Sequence, residues 1–400
     1  MRRSEMERQP RLLVIRRRYL GDAVLLEPFV RNLRAHWPSA WIAVALDSPY
    51  VDALAESRDL DEIIEIPVGR MPGESRQRRW ARLVRRIGAH PYDVVFDLAH
   101  NERAQAIALL SRAPVRIALE LLPSQVRRRR AYTDILSVDA GEVRRTHAVD
   151  LNNSLLEHSG VPTPARVPSL DVSSDLKHEA AAIVETHRDA IGSPSGPTLL
   201  VHPGAGAPAH RWPAASFAYV ADMAVRRLEA HVILLDGPAD GGLAQGVQAA
   251  MSEPASLIRS PMSIPRLFGL LTRVDLLLCN DSGPMHMAAA VGTPVCALYG
   301  GQSRLTWGPL GSQGHSTFQA ELPCGDACVA QVECSPTDPM RSFCVRRVHP
   351  EAVAAAVYGR LESSVSRLPG LQSGTRSPPG NGLPDSHEPE VAHQASLQRR

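Results

Sequence analysis

The sequence predicts an α/β protein in which two Rossmann-like domains face one another across a cleft. Three observations lead there: short β-branched runs alternate with amphipathic stretches almost from the first residue, the alternation breaks once in the middle of the chain, and it then restarts. Strand–helix alternation implies a parallel sheet covered on both faces, and two such units in series leave a crevice between them. A chain of 400 residues is also longer than one hydrophobic core usually organises.

In the first half, residues 11–15, 41–46, 62–66 and 92–98 read as strands with amphipathic segments between them. The pattern fails between Asp171 and Pro197, where a helical stretch at 176–190 is followed by a Gly/Ser/Pro run at 192–197 that has the composition of a linker. The expected organisation is one Rossmann-like domain over 1–175 and a second over 195–350. In the latter, strands are expected at 198–202, 231–236, 274–280 and 294–299, and helices at 213–228, 242–251, 264–271 and 284–291. One further helix is expected at 351–364. The Ser-, Pro- and Gly-rich remainder, 365–400, is expected to be disordered.

With 44% hydrophobic and 22% charged residues the composition is that of a globular protein, and no apolar run approaches the roughly 20 residues that span a bilayer. Residues 1–10 are charged and lack the apolar core of a secretory signal, so a cytoplasmic location is expected, with peripheral contact at the inner membrane surface. Six cysteines in that compartment are expected to be reduced or metal-bound. Lys177 is the sole lysine, so an arginine at any one position carries little signal. Basic clusters at 16–18, 76–86 and 127–130 make the first half the basic one. They suit an anionic acceptor or an anionic lipid surface, or form a solvated face; a nucleic-acid partner is not expected.

The most informative segment is NDSGPMHMAAAVGTP at 280–294, which follows an apolar strand and passes directly into a short helix of small residues. Ser282 can cap that helix, Gly283 lets a ligand approach the backbone, and Pro284 fits the first turn, where its missing N–H costs nothing. Free amides and the positive end of the helix dipole then favour an anion such as a diphosphate. Gly292 and Pro294 stop the helix. Any Rossmann-like fold can hold an Asp-Ser-Gly turn, but the whole string is far more specific than its first three letters.

A second segment, LVHPGAGAPAHRWPAASF at 200–217, runs from a strand through a glycine loop into a helix, and its amides can cradle phosphate oxygens. His202 reads as a turn-stabilising histidine and Trp212 as a packed indole. A third, RLLVIRRRYLGDAVLLEPF at 11–29, is a strand, a basic loop and a helix opened by Gly21 and Asp22, in which Asp22 can be an N-cap and Pro28 is expected to kink the helix. Finally, Cys324, Cys328, Cys334 and Cys344 lie within one short stretch, while Cys279 and Cys296 fall in apolar strands. Four clustered thiolates suit a tetrahedral structural metal, zinc or iron, with free thiols as the alternative.

These elements occur in the order found in glycosyltransferase family 9, the ADP-heptose:lipopolysaccharide heptosyltransferases, which the sequence resembles over most of its length. In that family an Asp-Ser/Thr-Gly-x-x-His element binds the nucleotide-sugar diphosphate, which implies the same for Asp281, Ser282, Gly283 and His286. The 200–217 segment resembles the family's His-Pro-Gly loop and Lys-x-Trp-Pro, which implies donor contacts for Gly204 and Gly206; His210, however, stands where the family has lysine. Either His210 is protonated or Arg211 supplies the positive charge, and Arg211 is preferred because its charge is permanent. The Gly-Asp entry implies Asp22 as the general base that takes the acceptor's proton, against the plain reading as a helix cap.

The resemblance further implies a GT-B architecture and inverting transfer, with ADP-heptose as donor on the nucleotide-sugar-binding domain, 195–350, which carries the cysteine cluster at 324–344, and the lipopolysaccharide inner core, an anionic glycolipid, as acceptor on the acceptor-binding domain, 1–175. No Asp-x-Asp pair lies near either anion-binding element, so no catalytic cofactor is expected and leaving-group charge falls to the helix dipole and basic side chains. Related members carry a comparable cysteine cluster. Transfer to a protein or small-molecule acceptor, or a catalytically silent nucleotide-sugar-binding protein, remain the alternatives.

Overall fold

Alternate residues of each central strand bury against different helices, which is why the strands are continuous apolar runs. In β1 (Arg11–Ile15), Leu12 and Val14 share a core with Phe29 and Phe96, whose rings meet edge to face at 5.6 Å. Leu13 and Ile15 pack on the other face with Leu83 and Ile87, one turn apart on the helix Arg76–Ala89. Arg79 of that helix is buried too, and ion-pairs with Glu65 at 2.8 Å.

β1 is joined by β2 (Trp41–Asp47), β3 (Glu62–Ile66), β4 (Val94–Asp97), β5 (Val115–Glu120) and β6 (Asp134–Ser137) in a parallel sheet of order β3-β2-β1-β4-β5-β6. A second parallel sheet has order β12-β11-β10-β7-β8-β9. Its strands are β7 (Thr198–His202), β8 (His231–Leu235), β9 (Ser256–Ile258), β10 (Leu276–Asn280), β11 (Val295–Tyr299) and β12 (Ser316–Gln319). Both are doubly wound α/β units of the expected class, and each sheet reverses its winding between its first and fourth strands in chain order. Those reversals, β1/β4 and β7/β10, are where loops diverge and leave room for a ligand. The computed structural model describes residues 9–69, 73–99, 101–121, 129–193, 196–259, 262–300, 303–319 and 345–365. The four clustered cysteines and the terminal segment 366–400 lie outside these.

In the second lobe Leu199 and Val201 pack with Phe217 and Val220 of the helix Ala214–Leu228 and with Val357 and Leu361 of the terminal helix Pro350–Val365. Leu200 and Leu277 face Leu267, Leu270 and Leu271 of the helix Ile264–Leu271. The helix Ser174–Ala190, where the sequence pattern breaks, also sits on this lobe: the Ser256 hydroxyl donates to the His187 carbonyl at 2.9 Å, and Arg188 donates to Thr198 Oγ1 at 2.9 Å. The chain therefore crosses before Ser174. Asn32 and Asn153 each donate to the Ala165 carbonyl at 2.9 Å and tie it to the first lobe, and five residues later the Leu170 N–H donates to Ala290 in the second.

One detail departs from expectation. Pro28 does not kink a helix; one helix, Leu20–Val24, ends, and Pro28 sits in the first turn of the next, Glu27–His36, where no amide partner is missing. Beside them the lobes touch directly. Leu25, Ala148 and Val149 pack on Trp307 and Leu310, and His147 Nε2–H donates to the Gly308 carbonyl at 3.0 Å while its Nδ1 accepts the Val149 N–H. No described helix is long and apolar enough to cross a membrane.

Candidate active site

Adjacent C-terminal ends of β7 and β10 bring two loops together, and Asn280, fully buried, holds them. Its Nδ2 donates to the Pro203 carbonyl at 2.8 Å and its Oδ1 accepts the Trp212 N–H at 3.0 Å. Trp212 is a core indole: its ring N–H donates to the Val348 carbonyl, and its ring and that of Phe217 meet edge to face at 5.0 Å. Asn280 carries no signal of its own in the sequence, because both partners are distant in the chain and become neighbours only through the sheet register.

The turn Asp281-Ser282 leads into the helix Gly283–Ala290. Ser282 takes the N-cap position with extended backbone, but its hydroxyl accepts no amide; the expected side-chain cap is absent, and Ser282 Oγ is buried without a partner among the described residues. The helix N-terminus is therefore left uncapped, with Pro284 in its first turn. Gly292, at φ +88°, ends it. The Asp281 carboxyl has no hydrogen-bond partner among the described residues and is pushed up to about 7 by burial. His286 is buried and held down to about 3, first by burial and then by nearby His147, so its ring is neutral, with Nδ1 unpartnered among the described residues.

On the neighbouring loop, burial lowers His210 below the ordinary imidazole range, which disfavours the protonated form. Arg211 donates to the Ala205 carbonyl from Nε and Nη2 at 3.4 and 3.3 Å, which lays its guanidinium along the glycine loop. Gly206 faces open space. Gly204 faces a carboxylate, that of Asp240, which also lies 3.3 Å from His202 Nε2. Asp240 sits in a Gly/Pro loop that reads from sequence as an ordinary turn.

The first lobe contributes its own switch point. Arg17 grips Asp47, at the end of β2, with Nε and Nη2 at 2.7 and 3.2 Å and reaches Asn101 at 3.0 Å, while Asp47 also accepts the Arg18 N–H. This clamp holds Arg18 at φ +92°, an unfavourable conformation for a residue with a side chain. Arg16 bridges from the Leu98 carbonyl, at 2.5 Å, to Asp22. Asp22 is the third residue of its helix and not the N-cap; its second oxygen accepts the N–H of Tyr19, the N-cap residue, at 3.2 Å. Both oxygens of this buried carboxylate are thus engaged, one by a cation and one by a backbone amide.

The helices Leu20–Val24 and Gly283–Ala290 meet across the groove between the lobes. A methyl group added to Gly21 would lie 2.6 Å from His286 Cδ2, and one on Gly283 would lie 2.8 Å from Leu20 Cβ. Gly283 thus serves the approach of the opposing helix before that of a ligand. The structure brings Asp22, Ser282, Gly283, His286 and Asp281 to one place, with Gly204, Gly206, His210 and Arg211 on the loop that Asn280 ties beside them. Cys324, Cys328, Cys334 and Cys344 lie outside the described residues.

Residues 80–334 match the model of glycosyltransferase family 9 (heptosyltransferase). The chain is similar to lipopolysaccharide heptosyltransferase 3 of Escherichia coli, 25% identical over 73% of this chain and 84% of that protein. It is 27% identical to lipopolysaccharide heptosyltransferase 2 of Salmonella typhimurium, over 73% of this chain and 83% of that one. Among solved structures it resembles a family 9 glycosyl transferase from Veillonella parvula, with TM-score 0.70 and 24% identity over 88% of this chain and 97% of that one. It also resembles Escherichia coli ADP-heptose lps heptosyltransferase II, with TM-score 0.68 and 21% identity over 89% and 99%. At these identities the solved structures establish the two-lobed GT-B fold.

Proposed function

The chain belongs to glycosyltransferase family 9 and is a glycosyltransferase, and from that premise we propose that it transfers a heptose, with inversion, from ADP-heptose to the inner core of a lipopolysaccharide. The observation that carries this reading is the apposition of a buried carboxylate, Asp22, with the uncapped N-terminus of the helix Gly283–Ala290 across one groove. A single displacement at an anomeric carbon needs those two things: a base near the acceptor hydroxyl, and a site for the charge that develops on the leaving diphosphate.

In this mechanism Asp22 takes the proton of the acceptor hydroxyl as that oxygen attacks the anomeric carbon from the face opposite the diphosphate. The amides of Ser282 and Gly283 and the helix dipole hold the departing ADP. Ser282 Oγ, His286 Nδ1 and His202 Nδ1 are buried polar atoms with no protein partner among the described residues, and such atoms are rare unless a ligand or water serves them. We assign the first two to donor contacts. The acceptor, an anionic glycolipid at the inner membrane surface, lies on the arginine-rich first lobe.

Purified protein given ADP-heptose and a heptose-deficient core acceptor is expected to yield a product one heptose heavier by mass spectrometry, with the opposite anomeric configuration to the donor. Transfer from another nucleotide sugar at a higher rate would overturn the donor assignment, and transfer only to protein or small molecules would overturn the acceptor.

The lysine replaced by His210 is made good by Arg211, because burial keeps His210 neutral and the guanidinium charge is permanent. Arg211→Ala is expected to weaken ADP binding about tenfold, the loss of one charge-assisted contact, and His210→Ala to change it by less than about threefold. Isothermal titration checks both, and the reverse ranking would make His210 the phosphate ligand.

A further inference from the structure

Gly204 has no side chain, yet the space in front of it is taken. The carboxylate of Asp240 lies against its Cα, closer than any Cβ would allow, and the same carboxylate lies 2.7 Å from where a Cβ on Gly237 would sit. It accepts the Gly237 N–H at 2.6 Å and lies 3.3 Å from His202 Nε2. Burial by itself pushes Asp240 up, but the hydrogen bond and charge of His202, the Gly237 amide and the charge of Arg211 together hold it below the usual carboxylate range. Glycine backbone, an amide, an imidazole and a guanidinium are the set of groups that an anionic oxygen of a phosphate would seek.

We propose that Asp240 is an internal competitor of the donor's diphosphate: in the empty chain its carboxylate fills the anion cradle formed by Gly204, Gly237, His202 and Arg211, and the donor must displace it to bind. This rests on the donor site assigned above. The loop is built for such a movement. Pro238 and Ala239 are exposed, and Gly241 and Gly242 adopt φ of +64° and +90°, which lets the chain swing without a side-chain clash. Asp236 meanwhile accepts the Ala244 N–H at 2.8 Å, so the following helix stays in place while residues 238–242 move.

Two anions a few ångströms apart repel strongly in a half-buried site. A donor that binds only the displaced state has an apparent affinity reduced by the fraction of chains in that state. Asparagine at 240 keeps an oxygen for the Gly237 amide but removes the charge. Asp240→Asn is therefore expected to bind ADP, and inorganic pyrophosphate as a nucleoside-free probe, about fivefold more tightly than the parent chain. Adenosine binding is expected to be unchanged. Independently, in the parent chain, adding ADP is expected to speed hydrogen exchange at the Asp240 amide, which donates to the Gly237 carbonyl at 3.1 Å and loses that acceptor when Asp240 swings away from the cradle.

Equal or weaker ADP binding by the variant overturns the proposal, as does weaker adenosine binding, which would make Asp240 a nucleoside contact. Unchanged or slower exchange at the Asp240 amide on adding ADP to the parent chain overturns it without recourse to the variant. If the parent chain binds neither ADP nor pyrophosphate, the donor site itself fails and this inference with it. ADP binding to the parent with no gain in the variant sinks only the role of Asp240.

Discussion

Asp22→Asn is expected to lower kcat by about 10³-fold, the middle of the range for removing a general base, while ADP binding changes by less than about twofold. The amide oxygen of asparagine can still accept the Tyr19 N–H that Asp22 holds at 3.2 Å, so the helix Leu20–Val24 keeps its geometry. Arg16 retains the Leu98 carbonyl at 2.5 Å. What the variant lacks is an acceptor for a proton. The competing reading, a carboxylate present only to cap a helix and pair with Arg16, forecasts turnover intact, with stability lower by about 1–2 kcal/mol for a weakened charge-assisted pair. The pair with Arg16 is weakened under either reading, so the urea midpoint falls in both; steady-state kinetics on the folded variant separates the two, because only the base reading lowers kcat. A retained rate would leave the groove without a base and refute the mechanism.

What could be read from residues alone follows the physics of each element. The central strands β1, β2, β7, β10 and β11 are covered on both faces, so their apolar runs stand out, and their observed bounds match the expected ones to within two residues. The strands β6, β9 and β12 lie toward or at the sheet edges and are short; β6 and β12 are only partly buried, so neither run length nor alternation announces them. β5 begins with exposed Val115 and half-buried Arg116, which mutes its signal in the same way. The helix Ser174–Ala190 was legible as a helix, but its allegiance to the second lobe depends on Ser256 and Thr198, contacts made through the sheet and not through the linker next to it.

At the site the division is similar. The Gly-Asp entry and the Asp-Ser-Gly-Pro-x-His string mark themselves because each residue type has a local task. Asn280 and Asp240 do not, because their tasks are with loops far away in sequence. Ser282 shows the limit of local reasoning: the sequence places a good capping residue at the N-cap, and the structure puts it there, but its hydroxyl accepts no amide and is buried without a partner among the described residues. A helix that declines its own cap retains free donors for an anion, which is a cost in helix stability of about 1 kcal/mol with a use only if a ligand comes.

The groove itself depends on two missing side chains. Gly21→Ala is expected to lower kcat by about 10²-fold, the scale for displacing reacting groups by about 1 Å, with little change in ADP affinity. The new methyl would stand 2.6 Å from Cδ2 of the buried His286 ring. The facing helix cannot slide past, since Leu20 already packs on Gly283. Relief must come from parting the helices Leu20–Val24 and Gly283–Ala290, which carries Asp22 away from the donor's anomeric carbon while the donor contacts, all on the second lobe, move together. Overpacking of this kind costs about 1–3 kcal/mol, so part of the effect will register as a lower unfolding midpoint. Gly88→Ala is the control: in the helix Arg76–Ala89 an added methyl meets nothing within 4 Å, and the change is expected to leave kcat untouched and to stabilise by about 0.5–1 kcal/mol. A Gly21→Ala enzyme that turns over at the parental rate would mean that the close contact of the two helices is incidental to transfer and that catalysis takes place in a more open arrangement of the lobes.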